Sequence, residues 1–153
     1  MQQAQFQATL LLTSLCLLAS SLQLNMSVNR IGAEGAKPLA DALRVNSGLT
    51  VANLLYNKLD VESATILVEA VKHKDISLCG ISPDQPSANF RPATPMSAKL
   101  QPSDAILLAS DLSKAAVSSE LTALDVRSNQ LGREGEALLC AAVQGRSGFD
   151  LKM

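Results

Sequence analysis

The sequence predicts an α/β solenoid of about four repeats, with short parallel strands along one side and helices along the other. Three observations predict it. The stretches LQLNMSVNRIGAEG (22 to 35), LTVANLLYNKLDVES (49 to 63) and LTALDVRSNQLGREG (121 to 135) fit L-x-x-L-x-L-x-x-N-x-L, with one apolar slot lost in the first. The register then persists past the phrase: Glu34, Glu62 and Glu134 stand five residues after Asn29, Asn57 and Asn129, and Leu39, Leu67 and Leu139 stand ten after. Ala42, Ala70 and Ala142 follow at thirteen, and Leu43, Val71 and Val143 at fourteen. Finally, Asn29 to Asn57 is a period of 28 residues, enough for a strand, a turn and a full helix.

Each slot has a physical reason. Leu24 and Met26, Ala52 and Leu54, and Leu124 and Val126 alternate with polar residues, so a strand at each copy buries one face and exposes the other. The Asn that follows offers an amide to the backbone of its own turn and of the adjacent repeat, where buried donors and acceptors would otherwise go unpaired. Ile31, Leu59 and Leu131 then point back into the core. Positions ten, thirteen and fourteen share one helical face, the Ala letting the helix lie close to the strands. Each Glu falls in the first helical turn, at the positive end of the dipole. Gly32, Gly35, Gly132 and Gly135 recur at the turn into the helix, where small size and free φ are needed, and no Lys-Ser or Lys-Thr follows them to make a phosphate loop.

Twenty-eight residues before Asn29 lies Met1, so residues 1–20 are expected to be the degraded helix of a truncated repeat. Leu11 and Leu15 fall on its slots, while Ser14 replaces the Ala and Phe6 the Glu. The apolar run from Leu10 to Leu18 has a second reading as a secretory signal ending near Ala19 and Ser20, although no Lys or Arg precedes it. It is too short to span a membrane. A third strand is expected in ISLCGISPD, with Ile76, Cys79 and Ile81 in the apolar slots and Asp84 in place of Asn. This repeat then carries about 17 more residues than its neighbours, among them Pro83, Pro86, Pro92 and Pro95. Proline at that density predicts an exposed loop insertion over 83–101, followed by a helix from Pro102 to about Val117 with Ile106, Leu107, Ala109 and Leu112 on its buried side. Phe149 stands 28 residues after Leu121, where a fifth strand would begin. Residues 1–153 therefore read as one repeat domain, either a small module with irregular caps or a fragment of a longer solenoid.

A 28-residue repeat with a full helix resembles the ribonuclease-inhibitor type of leucine-rich repeat, seen also in NOD-like receptors and the Ran GTPase-activating protein. The resemblance implies a short horseshoe with parallel strands on the concave face and helices on the convex face, and a protein partner bound on the concave face.

Composition narrows the function. A net charge of −1 and a pI near 5.8 supply no field for nucleic acid or an acidic membrane. Aromatic content of 3% and the absence of Trp argue against a base-stacking platform. Cys16, Cys79 and Cys140 each take an apolar slot and are expected to fill the core. Their odd number and wide spacing favour a reducing compartment, hence a cytoplasmic protein, or a secreted one if the apolar run is a signal. No metal spacing or cofactor motif is present. His73, between Lys72 and Lys74, reads as a cation at a helix end. Asn25-Met26-Ser27 is formally a glycosylation acceptor, but it lies in an expected strand. Thr94-Pro95 is a phosphorylation candidate in a solvated loop.

The expected function is binding of a protein partner through the concave face, with no catalysis and no small-molecule substrate. Between the buried slots lie Gln23, Asn25 and Ser27; Thr50, Asn53, Leu55 and Tyr56; Ser77 and Ser82; and Thr122, Asp125 and Arg127. Asn25, Asn53, Tyr56, Asp125 and Arg127 are the candidate partner-binding residues, with Tyr56 and Arg127 as anchors. Asn29, Asn57, Asp84 and Asn129 are the candidate structural ladder. Two other readings stand beside this one: a structural segment of a larger receptor or scaffold, and a GTPase activator of the Ran type, for which Arg30 beside the first ladder Asn is the candidate arginine.

Overall fold

The computed structural model describes residues 22–94 and 96–153. The expectations for residues 1–20, Cys16 and Pro95 fall outside them. Period-two alternation builds β1 (Leu22–Asn25); β2 (Leu49–Asn53), in which Val51 and Ala52 are both buried, pairs with it in parallel with Asn25 opposite Asn53. Three further strands, β3 (Ser87–Asn89), β4 (Ala123–Asp125) and β5 (Asp150–Lys152), form a second parallel sheet in that order. The helices are α1 (Gly32–Val45), α2 (Val61–Ala70), α3 (Pro102–Leu112), the short α4 (Ala115–Ser118) and α5 (Gly132–Val143). They pack as a layer in which α1 meets α2, α2 meets α3 and α3 meets α5. No described helix is long and apolar enough to cross a membrane.

The helical slots behave as the periodicity requires. Leu39, Ala42 and Leu43 of the first unit, Leu67, Ala70 and Val71 of the second, and Leu139 of the last are buried, while Ala142 and Val143 are half-buried. Glu34, Glu62 and Glu134 all sit in first turns. At α2, however, the cap is Asp60, whose carboxylate accepts from the Ser63 amide at 2.8 Å. Gly32 and Gly132 have φ of 63° and 68°, as the turn requires. Gly135 serves packing instead: a Cβ there would lie 3.0 Å from that of Ala105 on α3.

Four expectations are corrected. In the segment expected as the third strand, the pairing is an isolated bridge, Ser77 with Val51, extended by one backbone bond from the Leu54 amide to the Leu78 carbonyl at 2.9 Å. Ile76, Cys79 and Ile81 are buried as expected, but Gly80 turns the chain at φ 77° against Asn53 and ends the pairing. Within 83–101, expected as loop throughout, β3 forms with Ala88 buried. It is short enough to fit between Pro86 and Pro92, and the Pro86 carbonyl still accepts from the Thr122 amide at 2.9 Å. The helix expected to reach Val117 stops at Leu112, because after helical Ser113 the chain is extended at Lys114, and only the short α4 resumes beyond it. Cys140, expected in the core, is exposed, since its side of α5 meets no further helix among the described residues, whereas Cys79 is buried.

Candidate functional site

The turns after the strands are held by the Asn side chains. The Asn57 carboxamide is fully buried; it donates to the carbonyls of Met26 and Leu54, each at 2.8 Å, and accepts from the Asn29 amide at 2.8 Å. Asn129 repeats this, donating to Phe90 and Val126 and accepting from the Leu100 amide. Each therefore ties its own turn to the preceding unit. Asn29 is exposed and donates to the Ser27 carbonyl. Val28, Tyr56 and Ser128, just before each Asn, share the left-handed region with φ of 62°, 63° and 65°.

Asp84 does not take the ladder role expected of it. It lies exposed in a turn, because the chain has already left the strand register at Gly80. Two carboxylates of α3 do the equivalent work. Asp104 accepts from the Tyr56 amide at 3.2 Å and from the Gln101 amide at 2.8 Å. Asp111 accepts from the Ser77 hydroxyl at 2.7 Å and from the amides of Leu78 and Cys79 at 2.9 and 3.0 Å. The Ser77 hydroxyl in turn accepts from the Ile81 amide. Burial raises both carboxyls above the ordinary value, opposed by these hydrogen bonds. Burial, then Asp111 and Asp104, also push the Cys79 thiol well up, so it is held as an unreactive thiol.

On the open strand face the side chains form a second row. The oxygens of Asn25, Asn53, Asn89 and Asp125 accept from the amides of Ser27, Leu55, Arg91 and Arg127, two residues on in each case. Asn25 is paired beside Asn53, and Asp125 lies between Asn89 and Lys152. The Arg127 guanidinium grips Asp125 through two nitrogens, the shorter contact being 2.7 Å. Hydrogen bonding to Arg127 is the main reason the Asp125 carboxyl drops to about 2. Asp150 and Lys152 form another pair at 3.0 Å. Tyr56 is half-buried against the core, and its phenol is raised by burial and by Asp104. Arg30 is exposed, with φ 54°.

Of the residues expected on this face, Leu55 and Ser77 are buried instead. Alternation is already broken within β2, where Val51 and Ala52 are both buried, and Leu54 and Leu55 are likewise buried together; the Ser77 hydroxyl is held inside by Asp111. The face thus has a neutral amide part on β1 and β2 and a charged part on β3 to β5, to which Asn89, Arg91 and Lys152 belong. Sequence reasoning missed these three because the insertion hid β3 and the last strand was not read past its start. It also missed a row of cations at the strand entrances. Lys74 donates to the carbonyls of Leu43, Arg44 and Asn46, closing the end of α1. Arg146 donates to the carbonyls of Ser118 and Leu121. Both stand 17 residues after a ladder Asn, which was a readable signal. His73, expected in that role, is exposed beside Lys74.

Residues 20–40 and 117–140 match the family model described as Leucine Rich repeat. These matches support a leucine-rich repeat protein. The first covers β1 and most of α1, the second the end of α4, β4 and most of α5. The unit around Asn57 lies between them and has the same turn geometry. No curated protein matches the sequence. Leucine-rich repeats commonly mediate protein–protein interaction and are generally non-catalytic.

Proposed function

We propose that the strand side is the concave face of a short horseshoe of about four ribonuclease-inhibitor-type repeats and binds a protein partner there, without catalysis. The supporting observation is two register-matched sets of side chains, Asn25 beside Asn53 on one sheet and Asn89, Asp125 and Lys152 on the other, which stand on strands rather than loops. The acceptor oxygens of Asn25, Asn53 and Asp125 are turned to the backbone, so the contact groups are their remaining edges, the half-buried Tyr56 ring and the Arg127 guanidinium. The Ser77–Asp111 pair does no chemistry in this reading, since both residues are closed to solvent.

The test places a photo-crosslinking residue at Gln23 or Thr122 on the strand face, or at Lys37 on exposed helix surface, in cells that make the protein. A discrete adduct from the strand positions, lost in a Tyr56→Ala/Arg127→Ala double variant, supports the reading. Adducts arising only from Lys37 overturn it.

A further inference from the structure

The helix side carries an open groove of about 540 Å³ that the strand-face reading does not use. Ile106 and Ala109 of α3 form its floor, with Val68 of α2 on one side and Leu138 and Ala141 of α5 on the other. It exists because Gly135 brings α5 close to α3, while small side chains further along leave the space unfilled. Leu138 is 42% exposed, an apolar side chain where an isolated amphipathic helix would place a polar one.

Among the described residues lining this groove, the ionisable ones are Lys72 and Lys114, with no carboxylate. Both lie at the end where α2 and α3 terminate. Lys72 is paired with Glu69 at 3.3 Å, but both are more than half exposed, and such a pair is worth little. Lys114 donates to the Ile76 carbonyl at 3.0 Å, and an ammonium has three donors. Burial lowers the Lys114 ammonium from its ordinary value, opposed by Asp111, Cys79 and Asp75, none of which lines the groove.

We propose that this groove docks an amphipathic helix of a protein partner, running antiparallel to α3 and carrying carboxylates in its first turn. From Ile106 to Lys114 the groove is about 12 Å long, room for roughly two helical turns and their i, i+3 and i+7 side chains. An antiparallel helix sets its positive N-terminus against the negative C-terminal ends of α2, α3 and α5. The same end is where acidic residues are favoured in the incoming helix, which brings them to Lys72 and Lys114. Residues 1–21 contain no Asp or Glu and cannot supply that contact.

The probe is a fluorescein-labelled, hydrocarbon-stapled helical peptide of about fourteen residues, the staple offsetting the weak helicity of so short a chain. It carries Asp and Glu in the first turn and Leu at i, i+3 and i+7; a twin carries Lys in place of the acids. Binding to the full chain is read by fluorescence polarisation. The acidic peptide should bind about tenfold more tightly than its twin, equal to about 1.4 kcal/mol. Ala141→Glu, at an exposed site on the groove wall, should weaken it about tenfold, and Lys72→Glu should abolish or reverse the preference. Arg127→Glu on the strand face should leave binding unchanged, which separates failure here from failure of the strand-face reading. Equal binding of the two peptides, indifference to Ala141→Glu, or loss with Arg127→Glu overturns the proposal. Binding to phosphatidylglycerol vesicles that is sensitive to Ala141→Glu, with no peptide binding, overturns it in favour of a lipid surface.

Discussion

Asp111 is the most informative single residue to remove. Asp111→Ala strands three buried donors, the Ser77 hydroxyl and the Leu78 and Cys79 amides, now satisfied at 2.7 to 3.0 Å. A stranded buried donor costs about 1–3 kcal/mol, and releasing a buried carboxylate returns part of that, so the net loss should be about 3 kcal/mol. Asp111→Asn keeps one acceptor and should lose about 1 kcal/mol. The assay is urea unfolding followed by circular dichroism at pH 7 and pH 4. Burial raises the folded carboxyl above its unfolded value of 3.8, so between those two values the native state binds the proton more tightly. The Asp111 contribution is therefore fullest below the unfolded value and is lost as pH rises through the folded one. Asn does not titrate. The gap between wild type and Asp111→Asn should thus be wider at pH 4 than at pH 7, other carboxyls cancelling in the comparison. An Ala variant within about 0.5 kcal/mol of wild type, or a gap that narrows in acid, would refute the reasoning.

Asn57→Ala should cost about 3–5 kcal/mol in the same assay, since three bonds of 2.8 Å are lost from a buried site, whereas exposed Asn29→Ala should cost under about 1 kcal/mol. Equal losses would contradict the buried-ladder account. Gly80→Ala should lower stability by about 1–2 kcal/mol, because φ is 77° and the new Cβ would lie 3.2 Å from Asn53 Cγ; an unchanged Tm would show that the turn there is dispensable. Val28→Asn should raise Tm by the equivalent of about 1 kcal/mol, since a β-branched residue sits at φ 62° and is well exposed, and calorimetry showing a fall would mean that its side chain makes a contact worth more than the strain.

The scaffold was legible wherever one residue type answers one local demand. Buried Leu67 and Leu139, the Asn57 and Asn129 turns and the first-turn glutamates all follow from position within a 28-residue period. Legibility ended where side chains from distant positions substitute for backbone. Asp104 and Asp111 look like ordinary helix residues, and only the fold shows them reaching Tyr56 and Leu78, 48 and 33 residues away. Proline density opposes long regular structure, yet three residues between Pro86 and Pro92 suffice for β3. The candidate face was legible in outline at Asn25, Asn53, Asp125 and Arg127. That the first three oxygens cap their own turns was not, because the acceptor row depends on where the chain leaves the strand.

In a stacked-repeat protein, cooperativity depends on nearest-neighbour coupling, usually supplied by continuous ladders of peptide groups that no single substitution can remove. Here the strand side passes from the two-stranded to the three-stranded sheet through Gly80 and the carboxylates of Asp104 and Asp111. Coupling between the two blocks on that side is therefore written in side chains, and single codon changes can set how strongly one block's unfolding drags the other with it.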